Sequence, residues 1–246
     1  MSELWCYAES LPDEGEVVLS AEEARHVSAR RLKVDDKLVV FDGAGRVAQA
    51  QLTSMARRET KVNVTSIELV AAPPEEFVIA SAIPKGDRLS TMLQMLSQLG
   101  AVRWQPLVLE DSAVRKIDPS SSRSQRILIE SAKVARRAWV LAIDEPTDLE
   151  TAIERHGAGG SIVFGDREGK AAPFGGGTRL IMIGPEAGFT ESERGRLLKR
   201  EARPVSFGAY NLRIEVAAIA AATVHNVSAG PNAGQGGGEG ASQETD

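Results

Sequence analysis

Two glycine-bearing loops hold the residues of this 246-residue chain whose types and spacing could do chemistry. The first, IGPEAGF, spans residues 183–189 and follows the apolar run Arg179 to Met182, which reads as a buried strand. After it, Thr190 and Glu193 stand at the spacing of a helix capping box. Gly184 and Gly188 leave room for close backbone approach, and Pro185 stiffens the turn. A loop at the carboxyl end of a strand is where open α/β sheets hold their ligands. The second loop repeats the logic: Val205 to Phe207 is a short strand, Gly208 gives a tight exit, and Leu212 opens an alanine-rich helix running to about Val227. Taken alone, two such turns are equally well ordinary structural connections.

Charge offers a second kind of chemistry. Residues 113–137 carry seven Lys and Arg against two acids, a local excess able to meet phosphates although the whole chain has a net charge of −5. Its candidates are Arg115, Lys116, Arg126, Arg136 and Arg137; a solvated helix face is the plainer reading. No metal site is expected, because His26, His156 and His225 are scattered. The single cysteine, Cys6, excludes an internal disulfide framework and fits a reducing cytoplasm. No apolar stretch approaches the roughly 20 residues of a membrane span. The glycines show no G-x-G-x-x-G after a first strand, which argues against a nicotinamide dehydrogenase.

The elements that must position these loops fall into two groups. Residues 1–72 read as a small β-rich domain, with strands at Glu16 to Leu19, Lys37 to Phe41, Arg46 to Thr53 and Lys61 to Val70. Asp42-Gly43-Ala44-Gly45 supplies a turn, and Ala21 to Leu32 is a helical insertion carrying Arg25, His26, Arg30 and Arg31. Prolines 73 and 74 mark a boundary. Over residues 73–228 strands and helices alternate: strands at Phe77 to Ile83, Gln105 to Leu109, Trp139 to Ile143 and Ile162 to Phe164, with helices capped by Asp87 and over 122–136 and 148–156. Such alternation predicts a mostly parallel sheet covered by helices. Residues 229–246 are glycine-rich, without a large apolar side chain, and are expected to be disordered.

The strings IGPEAGFTESE and FGxxxLRxEVA resemble the carboxyl-terminal motifs of the knotted, SPOUT-type RNA methyltransferases, above all the ribosomal RNA small subunit methyltransferase E family. AIPKGDRLSTMLQMLSQLGA resembles the opening of that family's catalytic domain, and HVSARRLKVDDKLVVFDGAG its PUA-like barrel. The resemblance covers residues 20–225. It implies a trefoil knot, a homodimer joined partly through the last helix, and methylation of a uridine at N3 in 16S ribosomal RNA. S-adenosylmethionine is the implied cofactor, held by Ile183, Gly184, Pro185, Glu186, Gly188 and Phe189 together with Phe207, Gly208 and Leu212. Arg213 and Glu215, matching LRxE, become the implied catalytic pair. The imide proton must leave the uracil ring, so a cation that stabilises the anion and a carboxylate that orients it or accepts the proton would serve. RNA contact is implied for Arg25, Arg30 and Arg31 of the small domain.

This chain departs from the family strings in several places. Ala187 stands for a glycine, Tyr210 and Asn211 for Arg and Ile, Val216 for Thr, and Lys133 and Val134 for Glu and Gln. EDS at 110–112 replaces ERS. These changes bear on the target nucleotide more than on fold or cofactor. Two alternatives therefore stay open: a same-fold methyltransferase acting elsewhere on RNA, and an RNA-binding or ribosome-assembly protein that no longer transfers methyl groups.

Overall fold

The computed structural model describes residues 3–56, 59–73, 77–171 and 177–229. Most of the stretch expected to be disordered lies outside the described residues. The first sheet is built from β1 (Trp5–Tyr7), β2 (Gly15–Leu19), β3 (Lys37–Phe41), β4 (Arg46–Ala56) and β5 (Glu59–Leu69), in the order β1-β3-β4-β5-β2. β1 has no alternating pattern long enough to mark it in sequence; it pairs in parallel with β3, Trp5 opposite Val39. Helix α1 (Ala21–Ala29) is capped by Ser20, and Arg31 at φ 57° ends it before the expected Leu32.

The second sheet has six parallel strands. In chain order they are β6 (Val78–Ala82), β7 (Arg103–Leu107), β8 (Ala142–Ile143), β9 (Ser161–Ala171), β10 (Thr178–Ile183) and β11 (Arg203–Ser206). Helices α2 (Asp87–Gln98), α3 (Ser122–Ala135), α4 (Leu149–His156), α5 (Glu191–Lys199) and α6 (Ile214–Ala229) connect or follow them. The sheet order β11-β9-β10-β6-β7-β8 means that the chain builds outward from β6 to β8, then crosses back to add its last three strands on the other side. Its central strands β6 and β10 are near-continuous apolar runs, as strands covered on both faces require; every residue of β6 is buried. Helix α6 packs across β6 and β10 and against α2, with the His225 ring stacked on Phe77 at 3.9 Å.

Three expected elements differ, each for a local reason. Asp87 does not cap α2: Gly86, at φ 61°, occupies the cap position, and Asp87 is the first helical residue, where its charge suits the helix dipole. The strand expected over 139–143 shrinks to two residues because Trp139 and Val140 instead join the turn of the small domain. There Val140 N–H donates to the Gly43 carbonyl at 3.0 Å, Gly45 N–H to Ala138, and the Trp139 indole to Val70. β9 is far longer than the apolar run Ile162 to Phe164, for reasons taken up below.

The two sheets are therefore welded rather than linked. Val39, Phe41 and Val47 of the first pack with Ala132 of α3 and Ala138 just beyond it in one buried cluster, flanked by Trp5, Tyr7, Trp139 and Val140. A Cβ on Gly45 would lie 2.5 Å from the Trp139 ring, and one on Gly43 2.7 Å from Val140, and both glycines have positive φ. Beside this cluster Lys133, its side chain 5% exposed, reaches from α3 into α1. Its Nζ lies 2.7 Å from Glu23 Oε1, 2.9 Å from His26 Nδ1 and 2.5 Å from Glu130 Oε1. Burial opposes the charge on Lys133, but the bonds to Glu130 and Glu23 outweigh it and hold the pKa above the ordinary lysine value. The three partners present ligand atoms within 4.8 Å of one another; the lysine supplies their cation. Cys6 is buried nearby, and burial together with Glu23 pushes its thiol pKa upward, leaving it an unreactive core group.

Candidate functional site

The carboxyl ends of β10 and β11, and the middle of β9 between them, open into one cavity of about 510 Å³. The β10 loop supplies Ile183 to Phe189, and the β11 loop Val205 to Gly208 and Tyr210 to Leu212. All nine residues expected to hold a cofactor line it: Ile183, Gly184, Pro185, Glu186, Gly188 and Phe189 on one loop, Phe207, Gly208 and Leu212 on the other. Their geometry follows from the loop sequence. Gly188, at φ 85°, takes a backbone conformation that favours glycine and donates to the Pro185 carbonyl at 2.8 Å, closing the turn. A Cβ on Gly184 would stand 3.0 Å from the Gly188 carbonyl carbon, so the two limbs of the loop touch there. Thr190 and Glu193 then form the reciprocal capping box that starts α5. Glu193, 1% exposed, also accepts from Glu110 N–H at 2.9 Å, which fastens the 110–112 loop to the same helix start.

A third wall was not legible in sequence. In the pairing of β11 with β9, Pro204 stands opposite Phe164 but Val205 opposite Lys170, so residues 165–169 bulge out of the ladder. A Cβ on Gly169 would lie 2.5 Å from Val205 N, which keeps that corner free of a side chain. The bulge places Gly165, Asp166, Arg167 and Glu168 on the cavity. The polar string GDREGK breaks both strand and helix periodicity; its one signal was a Gly-Asp step directly after a buried apolar run. Asp166 Oδ2 accepts from Arg194 Nε at 2.9 Å. Burial raises the Asp166 carboxyl pKa, but the Arg194 hydrogen bond and the Glu168 N–H outweigh this and hold it below the usual value.

The lining divides by chemistry. Phe164 and Phe189 meet edge to face at 5.8 Å, and with Ile183, Phe207 and Leu212 they give an apolar slot. Asp166, Glu168, Glu186 and Glu191 add four carboxylates, with Glu186 also 3.4 Å from Arg88. Such a cavity suits a ligand with a flat apolar body and a cationic part.

The remaining candidates scatter more. Arg213 is exposed, directly beyond Leu212 of the wall; Glu215 is 7% exposed in the first turn of α6, outside the lining. Among the described residues no ion pair joins the two. Arg25, Arg30, Arg31, Arg115, Lys116 and Arg136 face solvent. Arg126 pairs with Glu22 at 2.7 Å across the two sheets' helices. Arg137 departs from the expectation of a solvent-facing cation: its guanidinium donates to the Ser97 and Ala101 carbonyls at the end of α2, and burial lowers its pKa.

The comparisons with known proteins bear on this cavity. A family model described as an RNA methyltransferase domain matches residues 71–226, well over half of the chain. The chain belongs to that RNA methyltransferase family. A second model, an RNA methyltransferase PUA domain, matches residues 19–64. Among curated relatives, the ribosomal RNA small subunit methyltransferase E of Bacillus subtilis is 27% identical over 222 residues, covering 82% of this chain and 86% of that protein. The protein of the same name from Synechocystis is 27% identical over 203 residues, which span 79% of this chain but 65% of the relative's length. The crystal structure of that enzyme type from Neisseria gonorrhoeae, bound to S-adenosyl methionine, matches with a TM-score of 0.78 at 23% identity over 90% of this chain and 96% of its own. A probable rRNA-methyltransferase from Porphyromonas gingivalis matches with a TM-score of 0.75 at 26% identity, over 89% and 95%. A PUA-like domain followed by a parallel-sheet α/β domain is thus the fold of this RNA methyltransferase family member.

Proposed function

We propose that this chain transfers a methyl group from S-adenosylmethionine to N3 of a uridine in small-subunit ribosomal RNA. The observation that carries the reading is the cavity: two loops at the carboxyl ends of β10 and β11 with the bulge of β9 between them, in a member of an RNA methyltransferase family. The residues present fit the cofactor. Gly184 lets the backbone close tightly where an adenine would need it, Phe189, Phe207 and Leu212 offer apolar contact, and the rim carboxylates favour a sulfonium. Bound there, the cofactor supplies an electrophilic methyl group.

The chain's own residues would do the rest. Arg213, exposed at the edge of the wall, stabilises the uracil oxyanion as the imide proton leaves. Glu215, buried two residues on in the first turn of α6 with its Oε2 lacking a hydrogen-bond partner among the described residues, orients that group or accepts the proton, a carboxylate favoured by the helix amino terminus. Residues 1–72, with Arg25, Arg30 and Arg31, grip RNA, while residues 73–228 carry the chemistry. Arg115, Lys116 and Arg136 extend the basic surface. The reading includes the trefoil knot, a homodimer and action in the cytoplasm on assembled small subunits, all of which rest on the family resemblance.

A second reading, transfer to another RNA position, draws on Tyr210 and Asn211, which line the cavity where the resemblance implies Arg and Ile. Transfer of labelled methyl from S-adenosylmethionine to small subunits lacking uridine N3-methylation tests both, with Arg213→Ala and Glu215→Ala run alongside. The expected product is N3-methyluridine, with transfer reduced about a hundredfold or more by Arg213→Ala, the size of losing one stabilising group in the transition state. A different methylated nucleoside establishes the second reading. Cofactor binding without transfer to any RNA overturns both in favour of a non-catalytic RNA-binding protein.

A further inference from the structure

Tyr210 stands out on the cavity's margin. It lines the cavity and is 84% exposed, a large aromatic ring held in water beside an apolar slot. A ring in that position contributes nothing to the core, and leaving apolar surface hydrated forgoes the burial that usually retains such a residue. Its loop is nevertheless ordered locally: Ser206 Oγ donates to the Gly208 carbonyl at 2.9 Å, and Leu212 turns back into the cavity wall. Polar and cationic residues belong to the same margin. Asn211, next in sequence, is exposed and also lines the cavity; Arg213 is exposed two residues further; and Arg167, exposed, comes from the β9 bulge on another wall.

An exposed aromatic set among arginines, with an amide beside it, is the chemistry that receives a single-stranded nucleobase. The ring stacks on the base face, the cations meet the backbone phosphates, and the amide can bond to a base edge. We infer that Tyr210 is the stacking platform for the base taken out of the RNA stack, with Asn211 beside it facing that base's edge. This rests on the proposed RNA methyl transfer and adds a specificity-determining residue to it. Stacking tolerates any base, so Tyr210 sets how well a base is held in the mouth, while Asn211 contributes to which base is held.

The test uses the full chain and small-subunit ribosomal RNA with 4-thiouridine in place of uridine. Wild-type protein is expected to photo-crosslink through the peptide containing Tyr210. Tyr210→Ala should lower kcat/KM for RNA about tenfold to a hundredfold, the size of one base–aromatic stack. Its affinity for S-adenosylmethionine and its melting temperature should not change, and Tyr210→Phe should restore transfer. Unaltered transfer by Tyr210→Ala, or an equal loss in Tyr210→Phe, overturns the proposal. Loss of cofactor affinity in Tyr210→Ala overturns it too, by making the ring a cover for the cofactor. If wild type transfers no methyl at all, the functional reading falls, and the crosslink decides Tyr210 by itself: its absence from that peptide overturns the platform.

Discussion

A lysine ammonium held by two carboxylates and an imidazole, with almost no exposed surface, is tolerable only while its partners remain. Replacing Lys133 with Met leaves the Glu23 carboxylate, 4% exposed, without its closest counter-charge. Removing one partner of a buried ion pair typically costs about 3–5 kcal/mol. We expect Lys133→Met to lower the free energy of urea unfolding by about that amount, while adding Glu23→Gln returns most of it. A double variant as unstable as the single would show that Lys133 acts by packing its stem and not by its charge. The same site explains a residue type that the sequence left without a role. Lys133 is one of seven basic residues over 113–137, stands outside that run's RNA candidates, and occupies a position where the family strings have Glu. Only the fold, which brings α1 within reach of α3, turns it inward.

Elements were legible where one face repeats and illegible where tertiary contact overrides the pattern. The capping box at Thr190 and Glu193 and the apolar run of β10 are local properties, and they hold the first loop as expected. The β9 bulge is not local: residues 165–169 leave the ladder because β11 pairs again beyond them, a fact carried by neither segment alone. Hence the loops on two walls of the cavity could be read in advance and the third could not. The short β8 poses a related question of what holds a weak element in place. Arg103 of β7 and His156 of α4 converge on Asp144 just after β8, at 2.5 Å and 3.1 Å. Burial pushes the Asp144 carboxyl pKa up, and the bonds from His156 and Arg103 outweigh it and bring the value below 3.8. A carboxyl depressed in the folded state stabilises fully above its unfolded value and loses that contribution as pH falls through the folded one. Stability should therefore drop as pH falls below about 4, and Asp144→Asn should flatten that acid arm in thermal melts while lowering stability at neutral pH. An unchanged acid arm would place the acid sensitivity elsewhere.

At the scale of the molecule, the weld between the sheets controls how the two RNA-facing units are held. Gly45→Ala would push a Cβ into the Trp139 ring and force a side chain onto a positive φ. Overpacking of this kind costs about 1–3 kcal/mol, so we expect a lower melting temperature and altered tryptophan fluorescence as that ring shifts. Weaker ribosomal RNA binding with intact cofactor affinity should accompany it, because the cavity lies away from the weld. Cofactor affinity falling in parallel would mean that the two units communicate through it. The weld also has a schedule. Val39, Phe41 and Val47 are buried against residues near 132–140, which leave the ribosome about a hundred residues later. Counted from the end of β5 at Leu69, and at synthesis rates of roughly 5–20 residues per second, the finished small domain waits about 3–14 s with an apolar flank bare. During that interval the nascent chain is a natural client for a chaperone that shields hydrophobic surface, and slowing translation between residues 70 and 140 would lengthen its exposure.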